Sequence, residues 1–128
     1  APIFKTRSDS SKMAVQVQDY NQRLAMIQQA LINKYGADLN IQLFDTWAFM
    51  NGVLANPEKF GIANTQDTCL NEEGLLGKPF SYAIPLGLDP ACTDPDTYMF
   101  WNNLHPTRKM HGLIGDAITA TANAMINP

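Results

Sequence analysis

The stretch Leu39-Asn40-Ile41-Gln42-Leu43-Phe44 alternates apolar and polar side chains, the period of two that a β-strand with one buried face requires. Helices flank it on both sides. Met13, Val17, Tyr20, Leu24, Ile27 and Leu31 recur at steps of four and three, which predicts one face of a long amphipathic helix over residues 10–35. Ser8 to Ser11 supply N-cap candidates and Gly36 the stop. The stripe is too short for a convincing coiled-coil seam, so packing against a sheet or core is the better reading. Asp45-Thr46 then cap a second helix, residues 47–55, which Asn56-Pro57 ends. Near the end, Met110, Leu113, Ile114, Ala117, Ile118, Thr121 and Met125 predict a last helix from Thr107 onward.

Between the second and last helices, residues 57–95 are rich in proline and glycine and read as one long loop with at most short helical or extended pieces. Tyr98-Met99-Phe100 is a candidate short extended segment. Only 39–44 is a convincing strand. Burying its main-chain N–H and C=O groups unpaired would cost about 1–3 kcal/mol for each. Alternation of strand and long helix belongs to α/β sheets, whose neighbouring strands come from other βα units. Those units are not among these 128 residues. The expectation is therefore the C-terminal part of a larger α/β domain, incomplete without N-terminal strands carried by a preceding segment or a second chain.

Composition narrows the function. Nine Lys+Arg against twelve Asp+Glu give a formal charge of −3, so no basic stripe exists to neutralise phosphates and nucleic acid is an unexpected partner. A hydrophobic fraction of 45% argues against disorder, and no apolar run reaches the roughly 20 residues of a membrane helix. Ala1-Pro2-Ile3-Phe4-Lys5 lacks an initiator Met and a signal-peptide pattern, so the start of the gene product is expected upstream. Cys69 and Cys92 lie within the long loop. A bridge there would add roughly 3 kcal/mol in the chain-entropy model, and a disulfide in an exported protein is favoured over two cytosolic thiols.

Chemistry-bearing residues are few. Ser8, Ser10, Ser11 and Ser81 are the serines, and none sits in a nucleophile elbow, so a serine nucleophile would lie elsewhere. Neither cysteine has a basic neighbour to activate it. His105 and His111 are six residues apart, about 240° around a helix, so they cannot share a metal ion from one face, and no metal site is expected. His105 precedes Pro106 and stands just before the last helix, a position open to either a general base or a solvated, capping histidine.

Tyr98-Met99-Phe100-Trp101-Asn102-Asn103-Leu104-His105-Pro106-Thr107 resembles the final block of the GDSL lipases, or SGNH hydrolases, in which Phe-Trp-Asp is followed two residues later by His-Pro-Thr. Phe44-Asp45-Thr46 through Asn56-Pro57-Glu58-Lys59-Phe60-Gly61-Ile62 is similar to the segment upstream of that block. Cys69 and Cys92 resemble in position a cysteine pair of many secreted members. The resemblance implies a flavodoxin-like three-layer α/β/α sandwich and a Ser-His-Asp ester hydrolase needing no cofactor. His105 would handle the proton, and the nucleophile and oxyanion-hole residues would lie in an N-terminal section absent here. Secreted or periplasmic phospholipases A, lysophospholipases and glycerophospholipid:cholesterol acyltransferases are the branch implied, with a lipid or ester as substrate.

The block departs from the family at Asn102, where the triad aspartate is expected. An Asn can accept a hydrogen bond from imidazole but cannot supply the charge that stabilises imidazolium. In serine proteases the same change costs about 10⁴ in turnover. An engineered inactivation, a natural dyad of low activity and a catalytically dead lipid- or protein-binding relative all fit Asn102. Asp94 and Asp96 are near in sequence, and Asp96 is the remoter candidate for the carboxylate. Phe100 and Trp101 are expected in the core, with Trp101 as a substrate wall the sharper alternative. Phe80 and Tyr82, in the apolar run 80–88, are candidates for acyl-chain or peripheral membrane contact, against ordinary packing inside the cysteine loop. His111 is read as a surface residue.

Overall fold

The computed structural model describes residues 8–36, 39–71 and 88–126. Helix α1 spans Ser10–Tyr35, α2 Thr46–Ala55 and α3 Arg108–Ile126, close to the bounds that the apolar spacing predicts. The Asp45 side chain accepts a hydrogen bond from the Ala48 N–H at 2.9 Å, the cap that starts α2. Asn56-Pro57 stops it and opens a 3₁₀ turn, Pro57–Phe60, which Gly61 closes at φ 70°, a left-handed conformation natural to glycine.

The sheet overturns one expectation. Among the described residues, 39–44 join no ladder, and the strands are β1, Asn64–Thr68, and β2, Tyr98–Phe100, paired in parallel. Alternation specifies which face of a strand is buried, but a ladder also needs a neighbouring backbone, and 39–44 has none among the described residues. β1 escapes detection because Asn64-Thr65-Gln66-Asp67-Thr68 is polar throughout and half-exposed. Its register with β2, Asn64 opposite Tyr98 and Thr68 opposite Phe100, leaves extra residues on β1. The Asn64 side-chain oxygen absorbs them by accepting the N–H groups of Gln66 and Asp67, each at 2.9 Å, in a local turn. The architecture is α/β: helices with a small parallel sheet.

The core gathers Val53 of α2, Ile62, Met99 and Phe100 of β2 and Met110 of α3, with Phe49, Met50, Phe60 and Leu113 packed against it. Phe49 and Phe60 meet edge to face at 6.2 Å. Cys69 and Cys92 form the expected disulfide, with Cα atoms 5.1 Å apart, and both sulfurs are buried beside Tyr98. Trp101 departs from its core expectation: it is 36% exposed while Phe100 is 8% exposed, because it stands past the end of β2, where the chain bends away from the core.

Helix α1 stands apart from this core. Met13, Val17, Leu24 and Leu31 of its stripe are half-buried, Tyr20 and Ile27 are exposed, and no residue of α1 is buried. An open groove of about 600 Å³ separates it from α2 and β2, lined in part by Val17, Leu24, Phe44, Trp47, Leu54 and Phe100. Gln28 bridges to the extended segment, donating to the Ile41 carbonyl at 2.9 Å.

Candidate functional site

The site grows out of the carboxyl end of β2. Past Thr68 the chain continues alongside β2, with Cys69 N–H donating to the Phe100 carbonyl at 3.1 Å and Leu70 N–H to that of Trp101 at 2.8 Å. From Trp101 the backbone turns back on itself. The His105 carbonyl accepts from Trp101 N–H at 2.9 Å and from Asn102 N–H at 3.3 Å, and Phe100 and Pro106 form an antiparallel bridge. The Asn102 side-chain oxygen accepts from the Leu104 N–H at 2.9 Å and the His105 N–H at 2.7 Å. Every main-chain polar group of His105 is therefore bonded inside the turn. Its side chain is exposed and makes no hydrogen bond to another described residue.

Thr107 fastens the far side. It is 1% exposed, its hydroxyl donates to the Tyr98 carbonyl at 2.7 Å, and its N–H donates to that of Met99 at 3.1 Å. The same hydroxyl accepts from Met110 N–H at 3.4 Å and so caps α3. Thr107 carries no assigned role in the sequence motif. A Thr directly before the first helical residue, three positions ahead of a buried apolar one, is the signal that identifies the cap. Tyr98 was likewise unassigned: its hydroxyl donates to the Ala91 carbonyl at 3.0 Å, tying β2 to the loop held by Cys92.

The alternative carboxylates do not reach His105. Asp96 pairs with Arg108, and Asp94 accepts from Asp96 N–H at 3.0 Å to cap the 3₁₀ turn Pro95–Thr97. Neither carboxylate forms an ion pair or hydrogen bond with His105. His111 lies exposed on α3, as expected. Trp101 borders an open cavity of about 560 Å³ shared with Asp94, Asp96 and Arg108. Phe80 and Tyr82 lie outside the described residues, so nothing in the structure bears on their part in a site.

The turn sits at the carboxyl end of a parallel strand pair, where ligands of open α/β sheets bind. An imidazole on a fixed main chain, with its ring in solvent, can exchange protons with a hydroxyl brought against it.

No family model matches the chain. It is 28% identical over 125 residues to the thermolabile hemolysin of Vibrio parahaemolyticus, a match that covers 96% of this chain and 29% of that protein. It is 30% identical over 112 residues to a GDSL esterase/lipase of Arabidopsis thaliana, covering 85% of this chain and 28% of the relative. A second Arabidopsis GDSL esterase/lipase is 26% identical over 87 residues, 68% of this chain and 22% of that one. The chain thus spans less than a third of the length of the curated relatives it matches.

Proposed function

Because the chain belongs to the GDSL esterase/lipase family, we propose that residues 1–128 are the C-terminal section of a lipolytic ester hydrolase in which His105 is the proton-handling residue. The nucleophilic serine belongs to an N-terminal section that also brings the neighbouring strands of a three-layer α/β/α sandwich. The observation that carries the reading is the turn Trp101–His105: its main chain is locked by hydrogen bonds while the imidazole is left open at the carboxyl end of β2.

In the completed protein the serine hydroxyl attacks the acyl carbonyl as His105 takes its proton, giving a tetrahedral intermediate. Collapse expels the alcohol, which receives that proton from His105, and leaves an acyl-enzyme. Water, activated by the same imidazole, then releases the acid; an alcohol in place of water makes the reaction an acyl transfer. Nothing in this sequence of steps needs a cofactor. Trp101, half out of the core beside the turn, is the described aromatic placed to meet substrate, and Phe80 and Tyr82 are its proposed companions in acyl-chain contact.

The disulfide between Cys69 and Cys92 supports a secreted or periplasmic location, since such bonds persist in oxidising compartments. A phospholipid or lysophospholipid substrate, with peripheral contact to its membrane, is the finer form of the proposal. The test is hydrolysis of a short-chain ester and of a lysophospholipid by the complete protein. Turnover that falls to background in His105→Ala supports the assignment; turnover unchanged in that variant rejects it.

A further inference from the structure

Asn102 stands where an orienting carboxylate would face the imidazole, and its hydrogen bonds point to another task. Its side-chain oxygen has two lone pairs, and both are engaged, by the N–H groups of Leu104 at 2.9 Å and His105 at 2.7 Å. The two backbone donors also fix which end of the amide is oxygen, because the NH₂ end cannot accept from an N–H. Only that NH₂ end remains for any other neighbour. The ring of His105 bonds to no other described residue.

We infer that Asn102 is a positioning residue that acts on the main chain of His105 and not on its ring. It caps the turn that carries the histidine, in the manner of side chains that bond to a backbone two or three residues on. A carboxylate at this position has a second oxygen and does both jobs, holding the turn with one and accepting from the ring N–H with the other. An amide has only a donor left. Swung onto the ring, that donor pairs with Nδ1 and keeps the ring proton on Nε2, the tautomer unable to take a proton there. The turn is therefore complete for placing His105 and incomplete for orienting its imidazole. The reading deepens the proposed function and rests on it.

Three substitutions in the complete protein separate the tasks. Asn102→Ser keeps a side-chain oxygen able to cap the turn, more weakly, and has no reach to the ring; kcat within about twofold to threefold of the parent is expected, with an unchanged pH profile. Asn102→Ala removes the cap and lowers kcat by about fivefold to tenfold, with KM little changed. Asn102→Asp raises kcat, by up to the factor of about 10⁴ that separates the two residues in serine proteases. A carboxylate beside the ring also favours imidazolium, so the acid limb of the profile moves to higher pH. In ¹⁵N spectra of the His105 ring, the Ser variant matches the parent and the Asp variant shows a newly hydrogen-bonded Nδ1–H.

If Asn102→Ser falls as far as Asn102→Ala and its ring resonances move, Asn102 serves the imidazole and the inference is overturned. That outcome leaves the role of His105 intact, since His105→Ala would still abolish turnover. Full turnover in His105→Ala instead overturns the functional reading itself.

Discussion

Two regions of this chain treat their main-chain polar groups in opposite ways. Around His105, from Cys69 to Leu70 and from Tyr98 to Thr107, hydrogen bonds run from strand to turn to helix cap, and the core of Met99, Phe100 and Met110 lies directly beneath. Around residues 39–45, the N–H groups of 40–45 bond to no other described residue, and the helix beside them buries none of its side chains. Both regions have strong sequence patterns. The difference is that the first supplies its own partners and the second, among the described residues, does not, so the first holds His105 in place unaided while the second offers main-chain N–H groups and an apolar helix face.

The largest effect expected from the contrast is catalytic. Replacing His105 by Ala in the complete protein should lower ester turnover by about 10², the low end of the range for a lost general base because Asn102 already weakens the triad, with the fold intact by circular dichroism. Next come the partners beneath the turn. Met99 is fully buried, so Met99→Ala should cost about 2–5 kcal/mol in chemical denaturation. The matching probe of the other region is Ile27→Ala, at a residue 56% exposed in this chain. A cost of similar size in the complete protein would mean that a neighbouring element covers α1, whereas a change within about 0.5 kcal/mol would mean that the helix face stays open to solvent.

Smaller effects sharpen the bonded region. Thr107→Val keeps the volume and removes a hydroxyl that serves two main-chain groups, leaving the Tyr98 carbonyl short of a donor. A loss of about 1–3 kcal/mol in unfolding free energy is expected. The smallest belongs to Arg108→Ala. Its pair with Asp96 is exposed, at 87% and 44% of side-chain area, and is expected to contribute less than about 1 kcal/mol, weakening further in salt.

What could be read from the sequence follows the same division. The three long helices were legible because a period near 3.6 and a capping residue are local properties, as Asp45 and its bond to Ala48 illustrate. Tyr98-Met99-Phe100 was legible from its apolar and aromatic run, and the cysteine pair from an even count within one loop. β1 was not, since its strand character is imposed by β2 and contradicts its polar composition. The segment 39–44 failed in the opposite sense: its pattern is that of a strand, and pairing depends on a backbone the pattern cannot specify. At the site, the position of His105 before the last helix was legible. The engagement of Asn102 with the main chain was not, because spacing identifies a neighbour without showing which of its atoms is already bonded.

Labelling the complete protein with a fluorophosphonate probe, followed by mapping of the modified peptide, tests the central claim most directly. The account predicts a single adduct on a serine outside residues 1–128, formed rapidly in the parent and at a small fraction of that rate in His105→Ala. An adduct on Ser8, Ser10, Ser11 or Ser81, labelling indifferent to His105, or no labelling of a correctly folded protein would contradict it.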